Sequence, residues 1–198
     1  MTAPNETAPN ETAPNESALN ERSRATALTL LVPLLVGSVV AVGLGVYGNL
    51  HDPSGKAVNL AGFTSPQAVK AWLGSVAFVL AVVQLVSAFA MYGKFGKAPA
   101  WMPPLHRWSG RLAFLVSVPV AVHCLYALGF QSFDTRVLLH SLLGCFFYGM
   151  FVCKMLLLRR DGAPGWVLPV AGGVLFTALV GLWLSSSLWF FTTFGVTL

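Results

Sequence analysis

Two histidines, His123 and His140, lie in long apolar stretches on either side of a short polar break at residues 131–136. The midpoint of 123 and 140 is 131.5, so two antiparallel membrane helices joined by this break would hold both imidazoles at nearly the same depth. An imidazole inside the hydrocarbon of a bilayer is costly and usually functional. Two of them at one depth on consecutive helices predict the paired axial ligands of a b-type haem.

The residues near this pair suit a haem between the two helices. Gly144 lies one helical turn from His140 and leaves space beside its imidazole. Arg136 lies one turn in the other direction, where a guanidinium can pair with haem propionates. His123 and His140 are therefore the predicted metal ligands, and no residue is predicted to be catalytic. The predicted aromatic walls are Tyr126, Phe146, Phe147 and Tyr148.

Other interpretations of the two histidines remain open. Each imidazole can hydrogen-bond a neighbouring helix, as expected of a non-catalytic membrane subunit or scaffold without a cofactor. The pair can also serve proton or quinone chemistry, or line a small proton or solute channel with the polar strip at residues 185–187 and 192–193. Adjacent helices pack with their axes about 8–10 Å apart, so the haem hypothesis requires these two helices to be separated.

The composition indicates that the elements positioning these residues are membrane helices. The 198 residues are 56% hydrophobic and only 10% charged, whereas a soluble domain carries about 25% charged residues. The sequence therefore predicts an all-α polytopic membrane bundle with five transmembrane helices. The five apolar stretches, each long enough for the roughly 20 residues that cross a bilayer, are residues 27–47, 69–92, 105–130, 137–158 and 167–191.

The chain divides into a tail and a membrane domain. Residues 1–24 are predicted to be a disordered cytoplasmic tail, because Thr-Ala-Pro-Asn-Glu occurs three times, at 2–6, 7–11 and 12–16. Residues 25–198 form the predicted five-helix domain. Nine Lys and Arg residues fall on one side of the membrane and three on the other, which predicts the N-terminus inside and the C-terminus outside a bacterial plasma membrane. The net charge of +5 thus indicates topology and not binding of nucleic acid.

A third histidine, His106, lies at the opposite end of the third apolar stretch, about 25 Å from His123 along the helix. A second haem at this level would need another ligand on the fourth helix, where the mirror position is Leu157. We therefore predict one haem near the outer face, with His106 as a secondary cofactor-binding candidate.

Two short patterns in residues 105–158 carry a family resemblance. They are His-Arg-Trp-Ser-Gly-Arg at 106–111, with His123 later in the same helix, and His-Ser-Leu-Leu-Gly at 140–144. This segment resembles the haem-bearing helices of cytochrome b561-like and ferric-reductase-like membrane proteins, which implies haem b as the cofactor. Those families usually carry two histidines on each of two helices and a cytoplasmic flavin and nicotinamide domain. This chain has one histidine on its fourth helix and no such domain, so it is at most the membrane electron-transfer component of an oxidoreductase.

Four further patterns extend over nearly the whole chain after the tail: Gly-Val-Tyr-Gly at 45–48, Leu-Tyr-Ala-Leu-Gly-Phe at 125–130, Asp-Thr-Arg at 134–136 and Leu-Trp-Phe-Phe at 188–191. With them the chain resembles an actinobacterial family of small multi-pass membrane proteins of unknown function, which supplies no activity. The leading hypothesis is a b-type cytochrome that passes single electrons from a membrane donor such as quinol to an extracytoplasmic redox protein. The oligomeric state stays open.

Overall fold

A computed structural model of the chain describes residues 16–198 apart from residues 58 and 61, with side chains from residue 26 onward. All regular structure in that part of the chain is helical. The α-helices are α1 (Glu16–Leu50), α2 (Pro66–Met91), α3 (Met102–Val122), α4 (Thr135–Leu157), α5 (Val167–Trp183) and α6 (Trp189–Phe194). A π-helical segment, His123–Leu128, continues α3, and a second, Leu184–Leu188, joins α5 to α6.

Five helical segments of the described chain are long and apolar enough to cross a membrane, which confirms the predicted five-helix membrane bundle. Each has 23 to 28 residues, and about 20 residues of helix span the hydrocarbon core. The inside-to-outside orientation stays a prediction. The five segments are Thr26–Leu50, Pro66–Met91, Met102–Leu128, Thr135–Leu157 and Val167–Phe194.

The predicted tail, residues 1–24, is described only from Glu16, where α1 begins. Residues 1–15 hold nearly all of the three intact repeats and lie outside the described residues. Residues 16–24 belong to helix α1, and the predicted disorder of residues 1–15 stays a prediction.

Local sequence signals set the helix ends that surround the polar break. Gly129, with φ of 74°, ends the π-helical segment in a conformation that favours glycine. The Asp134 carboxylate then accepts a hydrogen bond from the Val137 backbone N–H at 2.9 Å and caps α4. At the start of α2, the Ser65 hydroxyl accepts in the same way from Ala68 N–H at 3.1 Å, and proline follows at the first helical position.

Close backbone contact joins α1 to α4. A Cβ atom added at Gly37 would lie 2.6 Å from the carbonyl oxygen of Gly149 and 2.9 Å from Cβ of Cys153. Small residues let membrane helices approach closely in this way. Elsewhere in the bundle, α2 packs against α3 and α5, and α4 packs against α5. Helix α1 therefore lies on the outside of α4, and α2 to α5 surround the interior.

One end of the bundle holds the chain's C-terminus and is called the C-terminal end below. Loops cover this end and form backbone hydrogen bonds with it. Thr64 N–H donates to the Leu198 carbonyl at 2.7 Å, and Ser54 N–H donates to the carbonyl of Tyr126 at 3.2 Å. One buried cluster lies near this end, and another fills the middle of the bundle. The first cluster is Ala68, Ala71 and Phe190; the second is Ala81, Phe147, Leu175, Ala178 and Leu179.

Candidate functional site

Side chains from α2, α3, α4 and the α5–α6 helix (Val167–Phe194) surround a cavity of about 470 Å³. Ligand pockets in proteins enclose about 300–1,000 Å³, so this cavity has room for one small molecule or cofactor. The polar residues that line it are Gln67, Lys70, Ser117, Gln131, Arg136, His140, Ser141, Tyr148, Ser185, Ser186 and Ser187.

Toward the C-terminal end the cavity lies between α3 and α4, which the haem hypothesis requires to be separated. Farther from that end the two helices meet through large side chains. The rings of Phe114 and Phe151 stack with centroids 4.1 Å apart, and the hydroxyls of Ser117 and Tyr148 lie 2.8 Å apart. Along α4 the cavity extends from Arg136 to Tyr148, which is about 18 Å of helix.

Two cationic side chains line the cavity at the C-terminal end of the bundle. Lys70 lies in the first turns of α2, and Arg136 lies in the first turn of α4. No carboxylate is among the lining residues whose side chains are described. A charge within a membrane protein usually faces a partner or a functional cavity. This end of the cavity is therefore suited to the negatively charged groups of a ligand.

Arg136 is held in place by three neighbours. Its Nη1 donates a hydrogen bond to the carbonyl of Ser185 at 2.8 Å, and its Nη2 lies 3.7 Å from Oδ2 of Asp134. The guanidinium also stacks over the Trp189 ring at 3.9 Å from the centroid. These contacts fix the guanidinium at the cavity wall, one turn above His140, where the sequence predicts it.

The imidazole of His140 has one ring nitrogen engaged by the protein. Its Nδ1 lies 3.0 Å from the Ser185 hydroxyl, which itself lies 2.7 Å from the carbonyl of Gly181 and 3.2 Å from that of Leu182. With the hydroxyl hydrogen on these carbonyls, Nδ1–H of His140 is the donor to Ser185. In that tautomer the lone pair resides on Nε2, which is the form of histidine that ligates a metal while a second group holds the other nitrogen.

Gly144 lies one turn deeper than His140 in the same wall. A Cβ atom added there would meet only the Leu182 side chain, at an ordinary contact distance of 3.9 Å. The glycine thus leaves open space at the wall, as the sequence predicts. Of the four predicted aromatic residues, Phe147 and Tyr148 line the cavity and Tyr126 and Phe146 do not.

His123 is not among the lining side chains. His123 lies on a different face of the helix from the wall. Along α3 and the π-helical segment that continues it, the wall is formed by Ser117, Val120, Ala121, Cys124, Leu125 and Leu128. Its Nε2 is buried and has no hydrogen-bond partner within the described structure. The structure therefore brings His140, Arg136 and Gly144 together and leaves His123 beside this group, with an unused ring nitrogen.

His106 lies at the other end of α3, in a polar cluster between α2 and α3. Its Nδ1 is 2.9 Å from the hydroxyl of Ser87. Gln84 donates from Nε2 to the carbonyl of His106 and, at 2.9 Å, to the hydroxyl of Ser109. His106 is thus a helix-joining residue in this structure, outside the lining of the cavity.

Replacing Gln84 with leucine is expected to lower the stability of the bundle. The change removes two hydrogen bonds between α2 and α3, and such bonds contribute about 0.6–1.7 kcal/mol in membrane proteins. Thermal unfolding in detergent, followed by loss of the monodisperse elution peak, measures the effect. An unchanged midpoint would show that the cluster does not stabilise the α2–α3 contact.

Lys70 and Ser117 are among the site residues that sequence reasoning missed. From the sequence, Lys70 is only a basic residue near a helix end. The signal that marks it is the series of small residues on the same side of α2, where Ala71 and Gly74 also line the cavity.

A model of a family of unknown function matches residues 30–198 of the chain. No curated protein and no solved structure matches it.

Proposed function

Since the chain belongs to this family of unknown function, DUF6529, we propose its function from the cavity. The protein is a membrane component that binds one amphipathic cofactor with anionic groups, haem b, and transfers single electrons. The observation that carries this proposal is the cavity itself, which combines a histidine bonded to Ser185 through Nδ1 and two cations without a lining carboxylate in the described chain.

The lining residues fit a haem in three respects. Nε2 of His140 would ligate the iron, Gly144 would give clearance for the macrocycle, and Arg136 and Lys70 would pair with the propionates. Within the described residues no three His, Cys, Asp or Glu side chains could hold a bare metal ion. A haem needs only one or two protein ligands because the porphyrin supplies the others. Haem iron supplies a one-electron redox couple.

His123 would be the second protein ligand of the haem iron. Its buried Nε2 has no hydrogen-bond partner in the described structure, and it lies one residue from Cys124 in the cavity wall. It also begins the π-helical segment of α3, and π-helical turns are frequent at functional sites. Ligation by both histidines requires the imidazole of His123 to turn toward the cavity. Ligation by His140 alone does not.

The resemblance of residues 105–158 to cytochrome b561-like helices also favours haem. In this proposal the protein lies in the bacterial plasma membrane with the C-terminal end outward. Quinol is the membrane donor, and the acceptor is an extracytoplasmic redox protein. Arg136, one turn from His140 toward the C-terminal end, would hold the propionates.

The absorbance spectrum of the purified protein tests the proposal. Protein from haem-replete cells is expected to show a Soret band, and dithionite is expected to shift it and to sharpen the α-band. A colourless preparation without extractable haem would contradict the proposal.

A cofactor-free scaffold is the second candidate, and one observation favours it. His140 and His106 each bond a serine hydroxyl on a neighbouring helix, Ser185 and Ser87. Hydrogen bonds of this kind join membrane helices without any ligand. A scaffold predicts a colourless protein that co-purifies with a partner subunit.

A further inference from the structure

A groove runs along the outside of the bundle between α4 and the α5–α6 helix, and we call it the lateral groove. It shares three residues, Arg136, Ser185 and Trp189, with the cavity. One layer of side chains therefore separates the interior site from the lipid-facing surface. The other groove residues used below are Thr135, Leu139, Leu143, Gly181, Leu184 and Leu188.

The lateral groove is polar at one end and apolar along the rest. Thr135 and Arg136 lie in the first turn of α4, at the C-terminal end, and the leucines follow toward the middle of the membrane. From Thr135 to Leu143 the groove covers about 12 Å of helix, less than half of a hydrocarbon core of about 30 Å. Its occupant would therefore lie within one leaflet. Leu139 and Leu184 are half-exposed to the lipid, at 51% and 48%.

The glycine at position 181 shapes the inner end of the lateral groove. A Cβ atom added at Gly181 would lie 2.7 Å from Cδ1 of Leu143. Because Gly181 has no side chain, Leu143 packs directly onto the α5 backbone. The two helices thus meet at this point, and the groove extends from here toward Arg136 and Trp189.

The polar end carries a cation with unused hydrogen-bonding capacity. Of the five N–H donors of an arginine, the described structure engages one with the Ser185 carbonyl. The contact of 3.7 Å with Asp134 is longer than a charge-assisted hydrogen bond of about 2.7–2.9 Å. Asp134 also caps α4 through its other oxygen. Arg136 can therefore bind a further anion from the groove side.

We propose that the lateral groove is a binding site for an anionic phospholipid of the surrounding leaflet. The hydrocarbon chain lies along Leu139, Leu184 and Leu188, and the anionic head contacts Arg136. The charge of Arg136 selects the head, and the apolar walls accept the chain. The groove opens on the outer side of the helices and shares Arg136, Ser185 and Trp189 with the cofactor cavity, whereas its leucines lie outside that cavity.

Photolabelling in nanodiscs tests the site. The protein is reconstituted in phosphatidylcholine with a small share of phosphatidylglycerol that carries a diazirine in its acyl chain. Irradiation is expected to label residues 139–143 and 184–188, and unlabelled phosphatidylglycerol is expected to compete while phosphatidylcholine does not. A parallel arm with a diazirine fatty acid distinguishes a phospholipid from a free carboxylate.

Substitutions make the test specific. Leu139→Trp fills the groove and is expected to reduce its labelling several-fold. The matched control Leu115→Trp, at a lipid-exposed site on α3, is expected to leave labelling unchanged. Arg136→Gln is expected to remove the preference for the anionic probe over a neutral one. Equal labelling by neutral and anionic probes in the wild type would overturn the proposal.

The failure of this proposal is distinguishable from that of haem binding. Leu139 lies outside the cavity lining, so Leu139→Trp is expected to keep the haem absorbance of the wild type. A colourless protein that is labelled selectively would contradict haem binding and support the lipid site. A haem-containing protein with unselective labelling would support haem binding and contradict the lipid site.

Discussion

The substitution His140→Ala is expected to abolish haem absorbance in the purified protein. His140 is the histidine that lines the cavity, and its Nε2 is the ring nitrogen that the Ser185 contact leaves for a ligand. Haem content, measured by pyridine haemochromogen per mole of protein, should fall to background. Ser185→Ala should weaken haem binding by about tenfold or more, because loss of a group that orients a metal ligand typically costs 10–100-fold in affinity.

Two further histidine variants complete this series. His106→Ala is the control, because His106 lies in the polar cluster at the other end of the bundle and should leave the haem content unchanged. His123→Ala is expected to shift the Soret band while haem is retained through His140. An unchanged spectrum in His123→Ala would restrict ligation to His140. Full haem content in His140→Ala would contradict the proposed site.

The substitution Gly37→Leu is expected to have the largest effect on the fold. The added side chain would collide with the backbone carbonyl of Gly149, 2.6 Å from a Cβ at position 37, and backbone atoms cannot move aside cheaply. Overpacking costs about 1–3 kcal/mol where side chains can adjust, so a larger loss is expected here. A loss of about 3 kcal/mol corresponds to a decrease of about 6–12 °C in the thermal midpoint.

Gly43→Leu supplies the matched control on the same helix. A Cβ at Gly43 meets no atom within 4 Å, so the leucine should point into lipid and leave the midpoint nearly unchanged. Both variants are compared by thermal unfolding in the same detergent. Equal midpoints for the two proteins would show that the Gly37–Gly149 crossing does not hold α1 on α4.

The sequence by itself determined the class of fold and the level of each site residue. A helix must be long and apolar enough to cross the bilayer, so composition and length predict the five spans. Capping residues such as Asp134 mark where helices begin. Because a helix rises by a constant 1.5 Å per residue, counting residues was enough to place Arg136, His140 and Gly144 in successive turns of one wall.

Only the tertiary structure decided which faces meet. The rotation of a helix about its axis depends on its neighbours, and a π-helical turn such as the one beginning at His123 changes the rotation further. As a result Cys124, and not His123, faces the cavity, although both have nearly the same depth. Lys70 belongs to the site for the same reason, because the packing of α2 against α3 and α5 turns it toward the cavity that Arg136 also lines. Depth is a property of one helix, whereas a binding site is a property of several helices packed together.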